Sequence, residues 1–257
     1  VVVNVELNRL GWKSIESWIG DKLDVFVSLL RNNWRTLNEW AGDSIGVYVT
    51  ASDAALQLAG NEVNNELFTY NGTSWTSKRK VYWNAGAHNV YAFYPYSKKV
   101  NDVVDYSFSV QTDQSTDWGY THSDFLFASA LDVNASASPV AMQFAHKMSN
   151  VIVNLEKGEN FEGVIPANAE VYLLSTVPQA VIDLTTGDAA KDPYGAVAAI
   201  RCRQLSNTQY QGVVVPQSLT SRRPLVEVVI GDVSYLMEGK ISYRPGMRHT
   251  ISVTLDQ

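Results

Sequence analysis

Apolar and polar residues alternate along most of the readable chain. Ile45, Val47 and Val49 stand two apart, and Val226, Val228 and Ile230 repeat the pattern around Glu227. Successive side chains of a strand point to opposite faces, so a period of two marks a strand with one buried face. Residues 25–29, 90–94, 151–155, 180–184, 211–215, 241–243 and 251–255 carry the same signature. The predicted inward rows are Ile45, Val47, Val49, Ala92 and Tyr94 in a first core. Val151, Val153, Leu155, Val228, Ile251 and Val253 fill a second.

Turn chemistry separates these runs. Asn71-Gly72, Thr186-Gly187-Asp188, Gly231-Asp232 and Pro245-Gly246 supply residues that tolerate positive φ, and Gly231-Asp232 joins two strong runs as a hairpin. Helical periodicity is confined to short candidates at 12–19 and 54–58, neither well capped. Many short strands with spaced turns predict β-sandwiches, not a parallel sheet with crossover helices. The weakest strand signal is the small-residue tract 132–139. A boundary is expected there, giving an N-terminal domain of residues 1–138 and a C-terminal domain of 139–257.

Composition narrows the class without changing it. Of 257 residues, 46% are hydrophobic and 18% charged, the balance of a soluble globular protein. The formal charge of −6, from 20 basic and 26 acidic residues, and a longest basic run of only Lys78-Arg79-Lys80 argue against nucleic acid as a partner. No stretch approaches the ~20 apolar residues of a transmembrane helix. The chain opens on Val1-Val2-Val3 without Met, as expected if a targeting segment has been removed or left out. Cys202 is the single cysteine, so no intramolecular disulfide forms. Arg201 and Arg203 flank it and favour a thiolate, but the plainer reading is a structural cysteine.

Candidate chemistry is sparse. His88, His122, His146 and His249 are widely separated and fit no metal-ligand spacing, and no nucleophile elbow, phosphate loop, dinucleotide fingerprint or EF-hand loop occurs. His146 reads as a polar residue at a strand bend, and His249 as a surface residue entering the last strand. Asp183 and Asp188 bracket a turn that needs no metal. Asp113, Asp117 and Asp124 beside Trp118 and Tyr120 form the nearest thing to a carboxylate group. No catalytic, cofactor-binding or metal-binding residue is assigned, and no cofactor is expected. The chain holds 7 Trp and 13 Tyr, most on alternating strands where they fill cores. Trp75, after the Asn-Gly turn, and Trp118 and Tyr120, in a polar segment, are the candidates for partner contact.

Several segments resemble one family in order. Gly42-Asp43-Ser44-Ile45-Gly46-Val47-Tyr48-Val49-Thr50 is similar to the GD-x-IGVY segment of fimbrillin-like proteins, and Val90 to Tyr96 to their AYYPY strand. Ser123 to Ala128, Met142 to Asn150, Gln179 to Gly187, Val213 to Gln217 and Tyr243 to Leu255 resemble later family segments. The resemblance spans about residues 39 to 255; the Trp-rich start (Trp12, Trp18, Trp34) lies outside it, and His249 stands at a usual aromatic position.

The resemblance implies two tandem transthyretin-like β-sandwich domains in an exported, cell-surface protein of the outer membrane, with a lipid anchor in its precursor. It also implies a fimbrial subunit or adhesin whose partners are other subunits, joined by strand exchange, with surface glycans or proteins as adhesion targets. In some members an arginine-specific protease removes the leading strand, which here would precede Arg9, Arg31 or Arg35. Residues 1–10 alternate as a groove-filling strand does. The alternative is a surface carbohydrate-binding protein of a glycan-uptake system, resting on Trp75, Trp118 and Tyr120. An enzyme on a β scaffold would need two carboxylates or a metal in one pocket.

Overall fold

Where the alternation is strongest, the chain is extended and paired. The structure, a computed structural model, describes residues 41–134 and 139–256 in full, and the backbone of 2–4 and 25–30. Strand makes up 57% and helix 2% of the described residues. The all-β expectation therefore holds.

The strands, among the described residues, are β1 (Val2–Asn4), β2 (Val25–Leu30), β3 (Ser44–Ala51), β4 (Val63–Tyr70), β5 (Trp75–Ser77), β6 (Ala87–Tyr94), β7 (Tyr106–Ser109), β8 (Leu126–Asn134) and β9 (Val140–His146). They continue as β10 (Ser149–Lys157), β11 (Glu170–Thr176), β12 (Gln179–Asp183), β13 (Asp188–Lys191), β14 (Ala198–Arg201), β15 (Arg203–Ser206), β16 (Gln209–Val214), β17 (Gln217–Ile230), β18 (Val233–Tyr243) and β19 (Arg248–Leu255). One short helix, α1 (Asp117–Thr121), interrupts them.

Contacts divide the chain into two units. Unit 1 takes its described residues from Val1–Tyr106, Phe125–Ala145 and Asp183–Gly187, and unit 2 from Ser107–Asp124, His146–Ile182 and Asp188–Gln257. The expected boundary at 138/139 is therefore corrected. It falls between β8 and β9, which are neighbours in one sheet of unit 1. Val140, Met142 and Phe144 of β9 join the same buried cluster as Ile45 and Val47, so the apolar alternation resumes in the first core once the small-residue tract has passed.

Unit 1 is an eight-stranded sheet in the order β1-β2-β9-β8-β6-β3-β4-β5. β3 and β6 lie inside it and pair antiparallel, with Val47 opposite Ala92 and Val49 opposite Val90. The predicted row of Ile45, Val47, Val49, Ala92 and Tyr94 is buried as expected. The opposite face, expected to be polar, is buried as well. Tyr48 stacks on Phe93 at 6.5 Å, and Phe93 meets Tyr106 at 5.7 Å and Phe125 at 6.1 Å. Gly46 makes the room for this layer: a Cβ there would land on the Phe93 ring and the Asn65 amide. Burial pushes the Tyr48 phenol up to about 12, with Tyr106 and Tyr96 adding to the rise.

Unit 2 contains two four-stranded sheets, β15-β16-β10-β19 and β14-β11-β17-β18, and a three-stranded sheet β13-β12-β7. The two larger sheets face each other across a core: Gly212 of β16 approaches so near that a Cβ would stand 2.9 Å from Leu173 Cδ1 of β11. Val151, Val153 and Leu155 of β10, Ile251 and Val253 of β19 and Val228 of β17 are all buried, as their alternation predicts. Each such aliphatic side chain is worth about 1.5–3 kcal/mol of burial, so a one-residue slip would forfeit a whole row. The hairpin at Gly231-Asp232 is confirmed, since Ile230 pairs with Val233 across those two residues and Gly231 has φ +59°.

The helical candidate at 54–58 is not a helix. Ala54 N–H donates to Ala51 O, and Asn61 bonds back to both Gln57 N–H and Gln57 O. Side-chain amides thus hold a turn where only Leu56 finds burial. The candidate at 12–19 lies outside the described residues.

Gly46→Ala is expected to destabilise unit 1 by about 1–3 kcal/mol, the usual cost of overpacking a filled core. Urea unfolding monitored by tyrosine and tryptophan fluorescence checks it; an unchanged midpoint would mean that the Phe93 layer yields freely.

Candidate functional site

The polar segment singled out in the sequence is held in unit 2 by a buried glutamine. Gln114, with no exposed surface, donates from Nε2 to Val213 O at 2.8 Å and to Gln111 O at 3.0 Å, and accepts from Val213 N–H at 2.7 Å. It completes the main-chain bonding of β16 as a strand neighbour would. Two more bonds, Arg201 N–H to Thr112 O and Gln114 N–H to Arg201 O, fix the same segment to β14.

Helix α1 follows at once. Thr116 caps it, its Oγ1 accepting from Gly119 N–H at 3.0 Å. Gly119 packs against the Asp113 carbonyl too closely for any Cβ, and Ser123 Oγ donates to Gly119 O while accepting from Gln111 N–H. A five-residue helix is marginal on its own; here these contacts set its orientation.

That orientation separates the predicted contact residues. Trp118 faces outward at 59% exposure, whereas Tyr120, two positions on, is 4% exposed. The Tyr120 phenol is pushed up by burial first and by the Asp124 carboxylate second. Trp75 is likewise 5% exposed, packed on Tyr70 at 5.5 Å in the core of unit 1. It is the first residue of β5, so the Asn-Gly turn ends before it and does not contain it. Of the three aromatics only Trp118 offers a surface. Arg9, Arg31 and Arg35 lie outside the described residues.

The three carboxylates of the segment each have separate work. Asp113 Oδ1 accepts from Ser115 N–H and Oγ, which lowers its pKa. Asp117 pairs with Arg203 at 2.8 Å. Asp124 meets His146 Nδ1 at 2.7 Å in the interior; His146 ends β9 just before the bend into β10, as expected, and is a buried partner there. His249 is half-buried, its Nε2 accepting from Arg244 N–H. Among the described residues no three His, Cys, Asp or Glu side chains converge as a metal site, and no helix is long and apolar enough to cross a membrane.

Sequence reading missed the residues that meet α1 and the polar groups of the strands nearby. His122 stacks on the Trp118 indole at 4.5 Å and 23°. The His122 Nδ1–H donates to Trp118 O at 3.0 Å, which fixes the tautomer and the ring. Arg203 lies 5.5 Å over the Tyr120 ring. A cavity of about 140 Å³ is lined by Ser115, Glu170, Arg201, Gln204 and Tyr210 among others. In it Arg201 pairs with Glu170 at 2.5 Å, and Tyr172 donates to the other Glu170 oxygen. The signal available was the Arg201-Cys202-Arg203 run, whose two guanidiniums pair with Glu170 and Asp117. Burial, with no compensating cation, pushes the Cys202 thiol up to about 12, opposite to the direction its flanking arginines favour.

Comparison with known proteins decides the family. A sequence profile described as fimbrillin-like matches residues 35–257. The chain belongs to the fimbrillin-like family. A Bacteroides ovatus protein assigned as fimbrium tip subunit Fim1C is 31% identical over 111 residues, which cover 37% of this chain and 20% of that protein. The fimbrillin-like chain also shares its fold with a solved Bacteroides ovatus protein assigned to cell adhesion, at TM-score 0.74 and 20% identity over 94% of each chain. A second such protein, from Bacteroides uniformis, has TM-score 0.70 and 19% identity over 92% of this chain and 93% of its own. A Bacteroides ovatus fimbrial protein matches at TM-score 0.57 and 18% identity, over 94% of this chain and 51% of that one.

In this fimbrillin-like chain Cys202 is expected to resist iodoacetamide at pH 8 until denaturant is added, since reactivity follows the thiolate. The raised pKa also means that its contribution to stability, intact below about pH 9, declines as pH rises toward 12. Intact-mass spectrometry checks the first point; rapid alkylation of the folded protein would contradict it.

Proposed function

We propose that this chain is an exported cell-surface subunit of a fimbrium that mediates adhesion and joins neighbouring subunits by strand complementation. The observation that carries the reading is the fimbrillin-like match across residues 35–257. It needs no active site. Outer-membrane placement through a lipid anchor on the precursor belongs to the same proposal.

The edge order of unit 1 supports the assembly step. β1 is outermost and pairs antiparallel with β2, and β2 runs parallel to β9, with Val25 opposite Val140 and Leu29 opposite Phe144. Parallel pairing joins strands far apart in sequence, and among the described strands β1 and β2 join the rest of the sheet through β9. Arg31 follows the last residue of β2. Cutting there would leave the β9 backbone along 140–144 unpaired, a template for a replacement strand from another subunit.

Trimming at Arg9 removes β1, and trimming at Arg31 removes both edge strands. The Arg31-trimmed protein is expected to form higher-order species by light scattering and to bind an added donor peptide, whereas the untrimmed chain does neither. A trimmed chain that stays folded, monomeric and indifferent to peptide would rule the mechanism out.

A further inference from the structure

We propose that the Trp118 ledge, with the Asp117–Arg203 pair of unit 2, binds the sugar ring of a surface glycan. The indole is large, apolar and left 59% exposed. A single exposed apolar side chain is ordinary, but this one is pre-set. His122 backs it at 4.5 Å and is itself tied to the Trp118 carbonyl, and α1 beneath is pinned through Thr116, Gly119 and Gln114. An aromatic face fixed before binding loses little freedom on contact.

Polar groups of matching kind belong to the same short helix and to β15, which pairs with it. Asp117 and Arg203 form a pair at 2.8 Å, with the guanidinium held over Tyr120. A carboxylate and a guanidinium side by side present acceptors and donors together, the combination that grips adjacent hydroxyls. A polar cavity in the same unit carries a second such pair, Glu170 and Arg201. Its lining residues Ser115, Cys202 and Gln204 come from the same two chain segments that carry Asp117 and Arg203.

A pyranose has both properties the site asks for: a C–H face for the indole and a rim of neighbouring hydroxyls for the ion pairs. Phosphate-rich ligands fit worse, because Asp117 and Glu170 bring negative charge to each arginine and the whole chain carries −6. Apolar peptides would leave both ion pairs buried without new partners, which is costly.

The proposal rests on the adhesin reading only for the setting in which a glycan is met. The test is a printed array of neutral gluco-, manno- and galacto-oligosaccharides probed with the full chain, followed by titration of any glycan bound. Trp118→Ala is expected to weaken binding by at least about tenfold, equivalent to about 1.4 kcal/mol, without lowering the melting temperature. Arg203→Met, which leaves the indole in place, should also lose binding. Tyr194→Ala, removing a 95% exposed aromatic elsewhere in unit 2, should not. The proposal is overturned if the wild type binds no oligosaccharide at millimolar concentration, or if Trp118→Ala binds as the wild type does. It is equally overturned if capture of a glycoprotein survives periodate oxidation of its sugars, which assigns a protein ligand. None of these outcomes bears on the light-scattering assay of assembly, so the two readings fail separately.

Discussion

Unit 1 depends on one pair of strands, β3 and β6, being covered on both faces. With almost no helix, this chain must satisfy its main-chain N–H and C=O groups between strands, and a strand does that fully only when flanked on both sides. β3 and β6 are flanked in this way, and they also lie between the aliphatic layer of Val47 and Ala92 and the aromatic layer of Tyr48 and Phe93. Opening them would expose two apolar surfaces at once. Toward β1 the pairing thins, because among the described strands the outermost has one neighbour.

How much of this could be read beforehand depends on the range of the interaction. Local signals were legible: the alternation of Ile45, Val47 and Val49 placed those side chains correctly, as did that of Val151, Val153 and Leu155, and Gly231-Asp232 announced its hairpin. Non-local ones were not. Nothing near Tyr48 says that Phe93, Phe125 and Tyr106 will cover it, since that layer is assembled from four separate segments. Nor does strand patterning name the sheet a strand will join, which is why the small-residue tract before β9 reads as a boundary although both flanking strands belong to unit 1.

The candidate site shows the same limit at closer range. Trp118 stood out because it sits among polar residues, and it is exposed. Tyr120 shared that setting and is buried, because a five-residue helix is too short to declare which side faces in, and its orientation comes from Gln114 and Gly119. His122 gave no local sign of its stacking on Trp118, nor Arg203 of its place at α1; Arg203 reaches Asp117 from β15, more than eighty positions away. The result is a chain whose proposed tasks use different parts: an edge of unit 1 for assembly and a polar face of unit 2 for contact.

The central claim is that the β1–β2 edge is a replaceable attachment to a sheet whose middle is locked from both faces. Native-state hydrogen exchange followed by mass spectrometry tests it most directly, because local opening is distinguished from global unfolding residue by residue. The account predicts that amides of 2–4 and 25–30 exchange through local opening, well before those of β3 and β6, which wait for global unfolding of the unit. Equal protection of 25–30 and β6 would contradict it and make the edge pair an integral part of the fold.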